Sequence, residues 1–503
     1  MGAAEPRSVS PSEDRGSLKV ASALRRLCTR SSRCWRAAAG AALLLVLSNG
    51  PVLRLAGWLD RPGLWNDPAV WPFFAGAAAA SVVLAWAVWR HGGNAGGTAG
   101  REVPAGRALS RLALAVIVWY SAAAVVSSLW SVYPSATLWR SAVYLGLVLL
   151  AVALAGLTDD ELSTALVLLA SVAVAGSLAV LVLNHDVGTD RQGDWIGMYT
   201  NRNSLAPMAA LGVIAGLRWL LPRAGTASPL GTRSAAARSA HGSSAPPGAL
   251  SPRLASWFGA SPALWRGSGA ALVVASLVTL IGAGSRTAWL ALAAALTLTS
   301  AFGAVASASR LRRWRPLQTW AVAVGGGLVV VGVGVAAVAA AWNVSTFAQR
   351  RTIWSLVWDR VLERPWGGYG FFAFWEVPEL VQDHVLLQRG SAHNSLVETA
   401  LGLGVVGTLP FVVLVVLAAV NAGRGLWLRP SADTGMWAAV TVFVLFENMT
   451  ESFVLWFSHI WVLLLAAALR RGAPAIGAAS PAMTAASPAP DGPNGSPPRT
   501  RPA

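Results

Sequence analysis

The sequence predicts an all-α polytopic membrane protein with about 12 transmembrane helices and a helical extracytoplasmic loop. Of its 503 residues, 55% are hydrophobic and only 12% are charged, about half the charged share of a soluble domain. The apolar residues come in blocks of roughly 18 or more, and about 20 helical residues cross a bilayer core. The net charge of +17 comes from arginines between these blocks, a distribution that indicates orientation in a membrane and not nucleic-acid binding.

The hydrophobic blocks predict a transmembrane domain at 38–471, between a basic tail at 1–37 and a second tail at 472–503. The predicted spans are 38–58, 69–89, 108–130, 140–157, 162–183, 204–221, 268–283, 285–306, 319–341, 395–421, 435–449 and 453–470. The first tail, the loop 222–264 and the last tail hold few large apolar residues for their length and are predicted to be disordered.

The arginines predict that both termini are cytoplasmic. With the N-terminal tail inside, every other inner connection except the acidic turn 158–161 carries arginine, as the positive-inside rule requires. Two outer connections are long, 184–203 and 342–394. In the second, 350–365 has apolar residues at helical spacing and ends at Pro365, which predicts an amphipathic helix whose tryptophans lie at the bilayer interface.

This topology gathers the polar residues of several segments at the outer face. They are Arg191, Arg202, Asn203, Arg286, Arg350, Arg351, His384, Arg389, His393, Asn394, Glu447, Glu451 and His459. Outer arginines oppose the positive-inside bias, so each needs a reason: snorkelling to the headgroups, or an anion site, because guanidinium matches phosphate oxygens. Arg286 is the clearest case for an anion site. For Arg202, Arg350 and Arg351 the two interpretations are equally good.

His393 stands just before a predicted helix. Ser395 and Glu398 have the spacing of a capping box, which places the helix start near Ser395. The partial positive charge of that helix terminus disfavours imidazolium, and a neutral histidine can accept a proton as a general base. A capping or interfacial histidine is the alternative. The glycines at 402, 404 and 407 predict close helix packing beneath the site.

Four segments, in order, resemble the O-antigen ligase and polymerase family of membrane glycosyltransferases. They are GMYTNRNSLA (197–206), GSRTAWLAL (284–292), RTIWSLVWDRVLERPWGGYGFFAFW (351–375) and AHNSLVETALGLGVVG (392–407). The resemblance covers much of 197–407. The earlier helices match only in hydropathy.

The resemblance implies a GT-C-like fold in the cytoplasmic (inner) membrane, with the active site facing outward. It implies transfer of a polyprenyl-pyrophosphate-linked glycan to an acceptor hydroxyl, which is on a glycan or on a lipid-linked acceptor, with no cofactor and no metal. Carried over, Arg286, Arg351, Arg350 and the weaker candidate Arg202 become pyrophosphate ligands, with Asn203 and Asn394 in support. His393 becomes the base. Arg202 stands where lysine or proline is expected, and the loop 342–394 is short for the family.

Three alternatives remain at this stage. The chain could be a polymerase or a ligase, and the 197–206 segment favours the polymerase. It could instead be a lipid-linked glycan transporter or flippase, although mid-span charges are scarce and the two halves are unlike. A third class of transferase, with acidic residues in the first outer loop, would use Asp60 and Asp67 and would require a divalent metal.

Overall fold

A computed structural model describes residues 34–46, 48, 71–92, 104–221, 262–311, 345–381, 390–428, 430–453 and 458–470. Within these ranges the chain is helical, and the one extended pairing is an isolated bridge between Thr189 and Trp195. The helices are α1 (Cys34–Val46), α2 (Trp71–Gly92), α3 (Pro104–Val126), α4 (Pro134–Ala155), α5 (Asp159–Leu183), α6 (Arg202–Leu220), α7 (Pro262–Ala283), α8 (Arg286–Leu311), α9 (Ser345–Glu363), α10 (Ser395–Leu428), α11 (Ala432–Thr450) and α12 (His459–Leu469).

The predicted class, a polytopic helical membrane protein, agrees with the helices observed. Six helical segments among the described residues are long and apolar enough to cross a membrane: Ala108–Leu129, Pro134–Ala155, Asp159–Leu183, Arg266–Ala283, Arg286–Ala308 and Ser395–Leu428. The span predicted at 319–341 lies outside the described residues, as do the tail 472–503, most of the tail 1–37 and most of the loop 222–264. The count of 12 spans, the domain boundaries and the GT-C-like fold therefore remain predictions.

A cluster of aromatic rings ties the helices together. Tyr120 on α3 and Tyr144 on α4 have ring centroids 5.4 Å apart, and both contact Trp461 of α12. Phe411 of α10 stacks on Trp461 at 5.7 Å, and Phe371, from the segment after α9, packs edge-on against Tyr144. Because Phe371 is extramembrane in the predicted topology, the cluster attaches that segment directly to the helical core.

One end of the bundle is held by ion pairs between distant parts of the chain. The acidic turn before α5 supplies Glu161, which binds Arg36 of α1 at 2.5 Å, and Asp159, which binds Arg470 after α12. The turn that breaks the positive-inside pattern thus binds arginines from both ends of the described chain. Both of those chain ends consequently lie at the same end of the bundle.

The helix α9 lies close to the predicted helical range, and its apolar side is buried against the rest of the protein. It ends at Glu363, two residues before Pro365, as predicted. Ile353, Val357 and Val361 are buried, and the Trp354 indole donates to the Ala392 carbonyl at 2.8 Å. The Trp354 indole is therefore bound to the segment that precedes α10, and the interfacial position of the two tryptophans stays a prediction.

The helix α10 is broken near its start, and the segment after α9 fills the break. Gly404 has φ 58° and ψ −151°, which only glycine adopts without strain. The freed carbonyls of Leu401 and Gly402 accept from the backbone N–H groups of Tyr369 (3.0 Å) and Gly370 (2.9 Å).

The second half of α10 also forms backbone hydrogen bonds with the segment after α9. The N–H groups of Val405 and Val406 donate to the carbonyls of Pro365 (2.8 Å) and Trp366 (3.2 Å), so the two segments exchange hydrogen bonds on both sides of the break. A Cβ on Gly404 would stand 2.4 Å from the Trp366 carbonyl carbon, closer than any packing tolerates. The predicted role of these glycines in helix packing is therefore wrong for Gly404, whose missing side chain admits another backbone into the helix.

Candidate active site

His393 lies immediately before α10. Its backbone is left-handed, with φ 49°, which is uncommon for a residue with a side chain. Its Nδ1 lies 2.9 Å from Oε2 of Glu451, and 24% of the side chain is exposed. If Nδ1 carries the proton that Glu451 accepts, Nε2 is left as the basic nitrogen of the ring.

Glu451 binds candidate-site residues from three other segments of the chain. It follows α11 directly, and its carboxylate is 10% exposed. Its Oε1 accepts from Arg350 of α9 at 2.6 Å and from Asn203 of α6 at 3.0 Å. One carboxylate thus draws together His393, Arg350 and Asn203, three residues that the sequence predicted separately.

The segment that carries His393 is fixed by hydrogen bonds on both sides. The predicted helix start at Ser395 is confirmed, but the predicted capping box is wrong. The Asn394 side chain caps the helix, accepting from Leu396 N–H at 2.9 Å. Glu398 accepts instead from the Trp375 indole at 2.9 Å and from the Ala392 N–H.

The buried Arg140 of α4 binds Glu376 and the Phe372 carbonyl, so it anchors the segment that follows α9. Neither Arg140 nor Glu376 was predicted from the sequence, because they lie 236 residues apart and neither belongs to a recognisable pattern. The backbone on either side of His393 is held by other bonds, from the Ala392 N–H to Glu398 and from the Asn394 N–H to the Ser452 hydroxyl.

The other long outer connection packs against the turn between α7 and α8. Trp195 N–H donates to the Gly282 carbonyl at 2.9 Å, and Asp194 lies against Gly284, whose φ is +59°. Asp194 also binds Arg202, whose side chain is 42% exposed. Arg202 and Asn203 are adjacent in sequence, so this contact connects the Glu451 cluster to the start of α8, where Arg286 stands.

The four predicted phosphate-binding arginines fall into two groups: two form ion pairs with carboxylates, and two are exposed. Arg202 is bound to Asp194 and Arg350 to Glu451. Arg286 and Arg351 are exposed, and no described residue forms an ion pair with either. The structure therefore leaves Arg286 and Arg351 able to bind an anion, and it gives Arg350 a carboxylate partner that the sequence did not reveal.

The described helices are those of a multi-pass helical membrane protein, and the candidate site holds a histidine–carboxylate pair and exposed arginines. Residues 271–412 match the family model described as O-antigen ligase. This match confirms the resemblance to the O-antigen ligase family over residues 271–412. Comparison with curated proteins found no match.

The matched range includes Arg286, Arg350, Arg351 and His393, whereas Asn203 and Glu451 lie outside it. Glu451 was the main residue that sequence reasoning left without a role. A signal existed, since Glu447 and Glu451 are two carboxylates one helical turn apart at the outer end of an apolar helix. Nothing in the sequence indicated that one of them would bind His393.

Proposed function

We propose that this protein transfers a polyprenyl-pyrophosphate-linked glycan to an acceptor hydroxyl at the outer face of the cytoplasmic membrane. The observation that carries the proposal is the 2.9 Å contact between His393 and Glu451, in a domain matching the O-antigen ligase family. A histidine oriented by a carboxylate is the arrangement of a general base.

In the proposed reaction, Nε2 of His393 takes the proton of the acceptor hydroxyl. The oxygen forms a bond to the anomeric carbon of the donor glycan, and the bond from that carbon to the pyrophosphate oxygen breaks. The polyprenyl pyrophosphate leaves with the bonding electrons. Glu451 stabilises the imidazolium that forms, and the proton then passes from His393 to water.

Arg286 and Arg351 are the proposed ligands of the pyrophosphate, with Arg202 as a third candidate. Fixed guanidinium groups stabilise the charge that develops on the leaving group, so the proposal requires no metal and no cofactor. Arg350 has a different proposed role from the one its sequence suggested. Its guanidinium holds Glu451, and Asn203 holds the same oxygen, so both keep the carboxylate on His393. Asn394 supports the site by capping α10.

A comparison of cells with and without the gene tests this function. We expect loss of surface polysaccharide and accumulation of lipid-linked glycan when the gene is deleted, and restoration by the wild-type chain but not by H393A. Accumulated single repeat units would identify a polymerase, which the 197–206 segment favours, and accumulated finished chains would identify a ligase. Movement of lipid-linked glycan across proteoliposomes without bond formation would refute the transferase and indicate a transporter.

A further inference from the structure

A second carboxyl group, Glu447, lies directly behind the histidine–carboxylate pair. It is 1% exposed and stands one turn before Glu451, whose N–H donates to the Glu447 carbonyl at 2.8 Å. Residues four apart on a helix share a face. The two side chains interact electrostatically, and Glu447 also lies within electrostatic range of Arg350.

The two carboxyl groups differ in their hydrogen bonds. Glu451 accepts from Arg350, Asn203 and His393, on both of its oxygens. Oε1 of Glu447 is buried and has no hydrogen-bond partner among the described residues. Burial of a carboxylate oxygen without a hydrogen-bond donor disfavours the ionised form relative to the neutral acid, and a neighbouring carboxylate disfavours it further.

Among the described residues, the surrounding charges do not compensate for an ionised Glu447. Arg350 from α9 already neutralises Glu451. His459, at the start of α12, is buried with Nε2 unpartnered among the described residues, so it offers no cation. Glu398 of α10 adds no positive charge, and its oxygens are occupied by Trp375, Ala392 and Ser452. In the described part of the chain, Arg350 is therefore the guanidinium that both carboxyl groups have within range.

We infer that Glu447 is held as a neutral carboxylic acid and thereby keeps Arg350 bound to Glu451, which makes Glu447 a positioning residue for His393. This inference rests on the proposed function for its catalytic consequence. An ionised Glu447 would compete with Glu451 for the Arg350 guanidinium. Glu451 would then hold His393 less firmly, and activity would fall.

The protonation state is tested without any assay of activity. In purified protein in lipid nanodiscs, infrared difference spectra between wild type and E447Q should contain the carbonyl band of a protonated carboxylic acid at neutral pH. The matched control is E161Q, because Glu161 is equally buried but ion-paired to Arg36 at the other end of the bundle. Its substitution should leave that band intact. If the difference spectrum between wild type and E447Q contains no such band, the inference is refuted.

The catalytic consequence is tested by the pH profile of polymer or ligated product formation. E447A, which leaves the space empty, should lose activity roughly 10-fold or more, and E447Q, which resembles the neutral acid, should rescue most of it. The wild-type rate should fall as pH rises through the ionisation of Glu447, and E447Q should lack this fall. If E447Q is as inactive as E447A, or keeps the wild-type alkaline limb, the positioning role is refuted. Failure of the proposed function would be distinct, because the wild-type chain itself would then form no product.

Discussion

At the scale of single residues, the proposed function makes His393 and Glu451 act in one proton transfer, so variants of either residue should lose activity. We expect H393A to reduce transfer by about 10²–10⁴-fold, the usual contribution of a general base. E451Q should reduce transfer by about 10–100-fold, because the glutamine keeps the shape but loses the charge that stabilises the imidazolium. Transfer from a purified lipid-linked donor measures both.

The control for these variants is H185A, since His185 is exposed in the other long outer connection and contacts none of the site residues described. It should behave as wild type. The double variant H393A/E451Q should be little worse than H393A alone, because the two residues act through one proton transfer. Additive losses would show that Glu451 does not act through His393.

A second prediction concerns Arg286 and Arg351, the two exposed arginines of the candidate site. R286A and R351A should each raise the KM for the lipid-linked donor by about 10-fold or more, because a charge-assisted contact to phosphate is lost. R286K should recover only part of this loss, since lysine lacks the planar fork of donors. The matched control is R191A, an exposed arginine of the same predicted face. If the KM for the donor is unchanged in both alanine variants, these arginines do not bind the pyrophosphate.

Sequence reasoning reached most of the polar site residues but not their partners. His393 and the arginines were found because polar groups at the border of apolar blocks are conspicuous, and the family resemblance gave them roles. Glu451 is 58 residues from His393, and no periodicity relates the two. The Ser395–Glu398 spacing gave the right helix start for the wrong reason, because Asn394 competes successfully for the cap.

At the scale of secondary-structure elements, the break in α10 is the least predictable feature of the fold. A run of apolar residues from Ser395 reads as one uninterrupted helix, and the pattern contains no proline until Pro410. The break exists because the segment 365–370 supplies backbone partners for both of its edges. That exchange is a tertiary effect, which hydrophobic periodicity cannot register.

Glycine variants test the exchange between the two segments. G404A should be strongly destabilised, because alanine is strained at φ 58° and its Cβ would collide with Trp366. We expect a cost of about 1–3 kcal/mol or more in the free energy of unfolding, measured as thermal unfolding in detergent. G423A, in the same helix and with open space around its Cβ position, is the control and should be neutral or slightly stabilising. Equal stability of the two variants would contradict the role given to the break.

At the scale of the whole molecule, the two ends of the helical bundle carry different sets of charged residues. One end carries the pairs of Arg36, Arg218 and Arg470 with acidic residues. The other end carries the histidine–carboxylate cluster and the two unpaired arginines described above. The positive-inside pattern and the ion pairs agree that Arg36 and Arg470 lie at the same end of the bundle. The side of the membrane on which that end lies stays a prediction.

Thiol labelling tests the orientation of these ends in the membrane. A membrane-impermeant thiol reagent applied to intact cells should leave the native Cys28 and Cys34 unmodified, because both lie in the predicted cytoplasmic tail. It should label R191C in a chain whose native cysteines are replaced by serine. Permeabilised cells serve as the control, since both proteins should then react. Labelling of the native cysteines from outside would invert the proposed topology.

The shared hydrogen bonds of α10 and the segment before it also have a consequence for biogenesis. Residues 365–370 leave the ribosome before Leu401 and Gly402, so their backbone donors have no partner until α10 has entered the membrane. In the proposed topology, the first turns of α10 likewise cannot form these bonds until that segment has crossed the membrane. His393 lies between the two, so assembly of the active site is a late event that reports on completed insertion of both elements. A protein arrested before α10 emerges would be membrane-bound yet unable to react.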